Sequence, residues 1–197
     1  AEKTRQYILE KAAPLFNQKG FDGTSLADLE RATGLTKGAL YGNFQDKETL
    51  AGEAFLHSVA HVKLRMREVL KSVPTCHEKL LVLFDFFARY VLDPPVAGGC
   101  PLLNAGVEVD DHRLSMRPIV AREIMEVVNA IATLLRKGVK AGEFHNDINV
   151  RELAYTFFCT IEGAIMFSRV EGSREPMNII IRHCKSKLDQ ISCNKKG

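Results

Sequence analysis

Residues 24–47 read Thr24-Ser25-Leu26-Ala27-Asp28-Leu29-Glu30-Arg31-Ala32-Thr33-Gly34-Leu35-Thr36-Lys37-Gly38-Ala39-Leu40-Tyr41-Gly42-Asn43-Phe44-Gln45-Asp46-Lys47, and the punctuation of this run dictates its local structure. Ser25-x-x-Asp28 is a capping box, in which hydroxyl and carboxylate satisfy N–H groups that a helix start leaves orphaned. Gly34 stands where a left-handed residue ends that helix. Thr36 caps a very short further helix through Tyr41, and Asp46 caps a long one that begins at Lys47. Leu26, Leu29, Leu35, Leu40 and Phe44 are spaced to pack the two short helices together and against the helix before them. A helix, a tight glycine turn and a second short helix make a helix-turn-helix unit. Thr36, Lys37, Gly38 and Tyr41 lie near the start of its second helix, the end that reaches base edges in a DNA major groove. Gly38 has no side chain to hold that helix off a surface.

Outward from this run, helix signals dominate. Residues with three-to-four spacing recur and alternating strand patterns are absent. Gly20-Phe21-Asp22-Gly23, the segment 93–99 and Gly142 separate about nine helices. The first covers about Lys3–Lys19, with Ile8, Ala12, Leu15 and Phe16 on one face, and Gly20 stops it. The later ones are expected at Lys47–Lys71, Cys76–Leu92, Leu102–Val109, Met116–Lys140, Val150–Val170 and Glu175–Ser192, with a frayed tail Asn194–Gly197. No repeat of 20–50 residues is evident.

The composition agrees with an all-α globular chain. Its 197 residues suit one large domain or two small ones, and 46% hydrophobic with 26% charged residues is enough to bury a core. The net charge of +3 is only mildly basic. No apolar run approaches the roughly 18 residues of a membrane helix. Asp85 interrupts 80–88 and Glu162 interrupts 154–167, so both read as core helices. The opening Ala1-Glu2-Lys3-Thr4-Arg5 lacks the apolar stretch of a signal peptide. Cys76, Cys100, Cys159, Cys184 and Cys193 are odd in number and widely spaced, which is neither a disulfide framework nor a zinc motif. The expected setting is a reducing cytoplasm.

The run quoted above resembles the TetR family of transcriptional regulators. The matching residues are Gly20-Phe21, Thr24-Ser25-Leu26, Ala32-Thr33-Gly34-Leu35-Thr36-Lys37-Gly38, Leu40-Tyr41, Phe44, Lys47-Glu48 and Leu50. The resemblance is strong over about the first 50 residues, and the helix layout extends it along the chain. It implies a three-helix DNA-binding domain at 1–46, followed at 47–197 by a helical domain for effector binding and dimerisation. It implies that Thr36, Lys37 and Gly38 meet base edges or nearby phosphates, that Tyr41 and Lys47 grip phosphates, and that Thr24 and Ser25 do the same at the second helix. Two positions depart from the family's pattern. Glu30 stands where such units often carry a small residue, which predicts adjusted packing. Asn43 stands where His or Tyr is frequent, which alters the contact made there.

The helix at 150–170 is apolar on most sides, as a helix covered all round should be. Phe157, Ile161, Gly163 and Ala164 on it are expected at a dimer interface. Met177, Ile181, Cys184, Leu188 and Ile191 on the last helix, spaced 4, 3, 4, 3, form a coiled-coil-like seam expected at the same interface. A two-fold homodimer then reads two half-sites of a near-palindromic operator in double-stranded DNA. Phe84, Phe87, Tyr90, Leu103, Met116, Ile124, Phe158 and Met166 supply apolar material for a small effector pocket, with His57, His61, Asn104 and Glu162 as polar groups; the same residues equally suit a plain core. Cys100, at a helix start after Gly98-Gly99, is also counted to the pocket, and as an alternative senses oxidants or electrophiles. Glu108-Val109-Asp110-Asp111-His112 lacks the further spaced ligands of a metal site, and no metal or cofactor is expected.

Three function classes follow: a repressor released by an effector, an enzyme, and a constitutive DNA-binding protein. No Gly-rich phosphate loop, H-E-x-x-H or G-x-S-x-G supports the enzyme. Residues 1–50 hold seven Lys/Arg and seven Asp/Glu, so any positive face arises from arrangement rather than net charge. The expected slope of log K against log salt is therefore modest for a dimer, about −4 to −8. Anisotropy titration at several salt concentrations measures it, and a slope near zero removes the phosphate contacts.

Overall fold

The computed structural model describes residues 2–111 and 115–193. Among them are α1 (Glu2–Gly23), α2 (Leu26–Thr33), α3 (Lys37–Tyr41), α4 (Lys47–Lys71), α5 (Cys76–Arg89), α6 (Pro101–Val109), α7 (Arg117–Lys140), α8 (Val150–Glu171) and α9 (Glu175–Ile191). The only extended pairing among the described residues is an isolated antiparallel bridge between Phe144 and Ser192. The all-α class read from the sequence is the class observed. α4 has the expected bounds, and the others differ by at most four residues, the most at the end of α1, which runs past the break at Gly20 to Gly23 rather than stopping at Lys19. The fifth helix ends at Arg89 rather than Leu92, because the Tyr90 N–H bonds back to Phe87 and the Leu92 N–H to Arg89, a tightened turn that leaves the α ladder. Asn194–Gly197, expected to fray, and His112 lie outside the described residues.

The chain forms two compact units, one of residues up to Leu64 with Pro94–Ala121, the other of Arg65–Asp93 with the residues from Arg122 onward. The core of the first unit is small and tightly closed. Ile8 and Ala12 from α1, Leu29 from α2, Leu40 from α3, and Phe44 and Leu50 beyond it are buried together; Leu15, Phe16, Leu26 and Leu35 pack around them. Each such aliphatic side chain contributes about 1.5–3 kcal/mol on burial. The ends are fastened as the capping pattern demands. Ser25 and Asp28 form the reciprocal box, Gly34 closes α2 in a left-handed conformation, and Asp46 accepts the Thr49 N–H at 2.7 Å to open α4. α1 breaks at Gly20, where φ is 73°.

α6 is moored to α1 within this unit. Asn17 on α1 is buried and its amide donates to the carbonyls of Ala97 (2.9 Å) and Gly99 (3.0 Å). The Asn104 amide donates to the Asn17 carbonyl at 2.9 Å and to Gly98 O at 3.0 Å. Gly98 is pressed against α1 so closely that a Cβ there would lie 2.6 Å from the Asn17 carbonyl oxygen.

In the second unit, α5 opens with a Thr75–Glu78 capping box, and the Glu143 carboxylate accepts two further N–H groups at its start, from Cys76 (3.2 Å) and His77 (2.8 Å). Asn149 caps α8 and Gly172 ends it. The buried Ser168 hydroxyl accepts the Met177 N–H at 3.0 Å and so closes the turn into α9. α9 packs against α8 and α5. Phe84 and Phe157 meet edge to face at 5.1 Å.

Gly98 has φ 104° and no room for a side chain. Gly98→Ala is expected to destabilise the protein by about 1–3 kcal/mol. Gly106→Ala, a helical position with open space around it, is expected to be neutral or stabilising by up to about 1 kcal/mol. Urea denaturation of the two variants reads both signs.

Candidate nucleic-acid interface

α3 has only five residues, too few to be stable alone, and is held by its neighbours. Thr36 caps it by accepting the Ala39 N–H at 3.4 Å. The Glu30 carboxylate reaches from α2 and accepts the Lys37 N–H at 2.7 Å. The departure noted at Glu30 therefore has a function, since a carboxylate satisfies an orphan donor at the start of α3. At the other end Asn43 folds its amide back onto the Ala39 carbonyl at 2.9 Å. Thr36, Lys37 and Gly38 are exposed, and Tyr41 and Asn43 are half-buried. Gly38 has nothing nearer than 4.0 Å to an added Cβ, so its lack of a side chain leaves an open face rather than relieving a crowded one.

Ser25 is exposed at the start of α2. Its hydroxyl donates to Asp28 (2.8 Å) and accepts the Asp28 N–H. The Lys19 ammonium, 2.8 Å from Asp28, together with the Ser25 N–H and hydroxyl, holds that carboxyl well below the usual carboxylate range.

One of the expected phosphate contacts is corrected and a second is engaged within the chain. Thr24 is fully buried and its hydroxyl donates to the Gly20 carbonyl at 2.6 Å, so its side chain faces inward to close the break in α1. Lys47 is half-buried; its ammonium donates to the Phe21 carbonyl at 2.6 Å and lies 4.3 Å from the centre of the Phe21 ring. Its charge serves to hold the end of α1. The other side of the same peptide is held by α6, because the Phe21 N–H donates to both oxygens of Glu108, at 2.9 and 3.1 Å.

Sequence reasoning missed Glu108, Arg5 and Tyr7. The Arg5 guanidinium pairs with Glu53, donates to the Asn43 carbonyl and lies 4.2 Å from the Phe44 ring centre. The Tyr7 hydroxyl donates to the Thr33 carbonyl at 3.0 Å, tying α1 to the end of α2. Their partners are mostly main-chain groups, an N–H for Glu108 and carbonyls for Arg5 and Tyr7, which carry no residue signature; Arg5 and Glu53 alone had a readable charge pairing.

The expected pocket residues fall in both units. In the first, Asn104 and Met116 line a cavity of about 40 Å³ with Phe16, Phe21, Phe55 and Glu108. His57 and His61 line a separate groove of about 420 Å³ between α1 and α4. Burial pushes the His57 imidazole down, with Glu10 opposing and His61 adding to the shift. Cys100 is buried at the N-cap of α6, and Leu103 is half-buried. In the second unit Phe84, Phe87, Tyr90 and Glu162 are buried, Ile124 and Phe158 half-buried, and Met166 exposed. Phe87 and Tyr90 stack at 5.7 Å.

The expected dimer seam is also corrected. Met177, Ile181, Cys184 and Leu188 are at most 6% exposed within the single chain, as are Phe157, Ile161 and Ala164, so they have almost no area left for a partner. Their seam is the packing of α9 on the chain's own α8 and α5. The outward face of α8 and α9 instead carries Met166 (46% exposed), Phe167 (61%), Val170 (86%) and Ile179 (48%). Of these, Met166, Phe167 and Ile179 border an apolar groove of about 640 Å³ together with half-buried Gly163 and buried Ala164.

Comparison with known proteins places this arrangement. Residues 8–54 match the family described as bacterial regulatory proteins, tetR family, and residues 76–184 match the tetracyclin repressor-like C-terminal domain. The chain is 36% identical to a TetR-family transcriptional regulator from Cytophaga hutchinsonii of known structure, with a TM-score of 0.91 over 98% of this chain and 96% of that one. It is 24% identical to the transcriptional repressor DhaR of Mycobacterium sp. (strain GP1), over 88% of this chain and 86% of DhaR. It shares its fold (TM-score 0.82, 22% identity, 92% and 94% covered) with a cysteine mutant of the regulator CifR in complex with 26-bp double-strand operator DNA.

Because a hydrogen bond to a charged acceptor contributes about 1.5–3 kcal/mol, Glu108→Ala is expected to speed exchange of the Phe21 amide about ten- to hundredfold. Amide hydrogen exchange followed by NMR measures this. Unchanged protection would mean that α6 does not hold the end of α1.

Proposed function

We propose that this chain, which belongs to the TetR family of bacterial regulatory proteins and is a DNA-binding transcriptional regulator, is a repressor that leaves a near-palindromic operator when a small, mostly apolar effector binds. In this reading residues 1–46 are the DNA-binding domain and 47–197 carry effector binding and dimerisation, and the protein works in the cytoplasm without metal or cofactor. The observation that carries it is the exposed start of α3, where Thr36, Lys37 and Gly38 stand free of the core while Glu30 and Thr36 fix the helix beneath them. A short helix presented this way enters a major groove by its N-terminal residues. Lys37 offers donors to a guanine edge or phosphate, and Gly38 lets the helix approach closely. Ser25, Tyr41 and Asn43 lie beside them as phosphate and sugar contacts.

The homodimer rests on the outward face of α8 and α9. Monomeric proteins rarely expose a contiguous apolar patch of this kind. A two-fold pairing lays Met166, Phe167, Val170 and Ile179 of one copy on the same face of the other, with Gly163 allowing close approach. The second unit's Phe84, Phe87 and Tyr90, all buried, with half-buried Phe158 and buried Glu162, are the material for the effector. The effector must prefer the state that does not bind DNA, because equal affinity for both states shifts nothing. No helix among the described residues is long and apolar enough to cross a membrane.

Footprinting on DNA selected from random sequence tests the reading, with a two-fold-symmetric protected site expected. Lys37→Ala is expected to weaken binding about five- to hundredfold, and Gly38→Val to weaken it without loss of thermal stability. Phe167→Glu, at an exposed position, is expected to sediment as a 22.0 kDa monomer that no longer protects both half-sites, where the parent sediments at twice that mass. Failure to select any sequence would overturn the proposal.

A further inference from the structure

The five cysteines differ sharply in their surroundings. Cys76, Cys100 and Cys184 are buried, Cys159 is exposed and Cys193 is half-buried at the surface. Burial pushes the Cys76 and Cys184 thiols up, which keeps them inert. Cys193 is different because its Sγ lies 3.7 Å from Nδ1 of His145, and the pair is open to solvent.

The two residues are 48 positions apart, so the pairing is made by the fold. The Cys193 N–H donates to the Glu143 carbonyl at 2.9 Å and the His145 N–H donates to the Ile191 carbonyl at 2.9 Å, on either side of the Phe144–Ser192 bridge. Phe144 is buried, with its ring against Gly138, where any Cβ would run into it. The Ser192 hydroxyl donates to the Leu188 carbonyl at 2.7 Å, which ties the same strand to the last turn of α9. Thiol and imidazole are thus held together by main chain on both sides and by a packed ring between them. A nucleophile within reach of a base that the fold positions has the geometry of an activated thiol.

We propose that Cys193 is a covalent modification site for small α,β-unsaturated carbonyl electrophiles, with His145 as its base. His145 Nδ1 takes the thiol proton as Sγ attacks the β-carbon of the electrophile. The new C–S bond forms, the π electrons move through the carbonyl to give the enolate, and the imidazolium returns the proton at the α-carbon. Nothing leaves and no oxidant or reductant is consumed. Conjugate addition needs only a base that can also act as an acid, and this pair supplies both functions. Oxidation to a sulfenic acid would instead consume a two-electron oxidant. The inference does not depend on DNA binding.

The test is limited labelling of the full-length chain, carrying Phe167→Glu so that the α8 face bearing Cys159 stays clear of a partner copy, with N-ethylmaleimide at neutral pH, followed by peptide mass mapping over time. Cys193 is expected to be modified first, at least about tenfold faster than exposed Cys159. His145→Ala is expected to slow Cys193 to the rate of Cys159 and leave Cys159 unchanged, and added imidazole should restore part of the Cys193 rate. The unmoved rate at Cys159 and continued protection of Cys76 and Cys184 report that the variant is folded; His145→Gln, which keeps a polar side chain at this exposed position, gives the same comparison independently. Labelling of Cys159 before Cys193, or a Cys193 rate indifferent to both His145 variants, would overturn the proposal.

Discussion

Where α1 breaks at Gly20, the peptide that follows has polar groups that no helical ladder satisfies, and the way they are satisfied organises the whole first unit. The Phe21 N–H goes to the carboxylate of Glu108 on α6 and the Phe21 carbonyl receives the ammonium of Lys47 on α4. Thr24, one turn on, is buried to reach the Gly20 carbonyl. A buried or half-buried backbone group left unpaired is expensive, so each of these side chains is committed by the break itself. The result is that α4 and α6 both terminate on the segment that leads into α2. A displacement of α6 therefore acts on the entry to the helix-turn-helix through two short hydrogen bonds, without a long chain of contacts.

The same constraint separates residues that present a surface from those that support it. Thr36, Lys37 and Gly38 remain exposed because their own needs are met locally: a threonine cap, a carboxylate from Glu30, and a position where no side chain is required. Arg5 and Tyr7 give donors to the carbonyls of Asn43 and Thr33, and Asn43 gives one amide N–H to the carbonyl of Ala39, and so they tie α1, α2 and α3 together. A five-residue helix has no stability of its own to offer a binding partner. Its orientation is a property of the side chains around it, which is why changes well away from an exposed face such as this one are able to alter it.

In the second unit, α9 spends its regular apolar stripe on its own chain. Met177, Cys184 and Leu188 are fully buried against α8 and α5, and the surface left outside is made by residues off the stripe, Ile179 on α9 and Met166, Phe167 and Val170 on α8. The segment after α9 returns to the turn after α7, where the Phe144–Ser192 bridge brings His145 and Cys193 together.

By itself the sequence determined the helices and their ends, because caps and stops are local chemistry: Ser25 with Asp28, Thr36, Gly34 and Gly172 are read from neighbours a few positions away. It also determined the helix-turn-helix and its small core, since Leu29, Leu40 and Phe44 have few ways to be buried together at that spacing. Tertiary structure alone decided what each buried polar atom pairs with. Thr24 and Lys47 look like phosphate ligands in the sequence because a hydroxyl and an ammonium at helix starts suit an anion; they turn inward because a backbone carbonyl exposed at Gly20 and Phe21 needs a donor, and a carbonyl has no letter in the sequence. Glu108 was invisible for the same reason, its partner being an N–H 87 positions away. The seam of α9 shows the other limit. A stripe with three-to-four spacing records that a face is covered, and the covering helix is equally well a neighbour in the same chain or one from another copy, because burial of apolar area is indifferent to which chain supplies it.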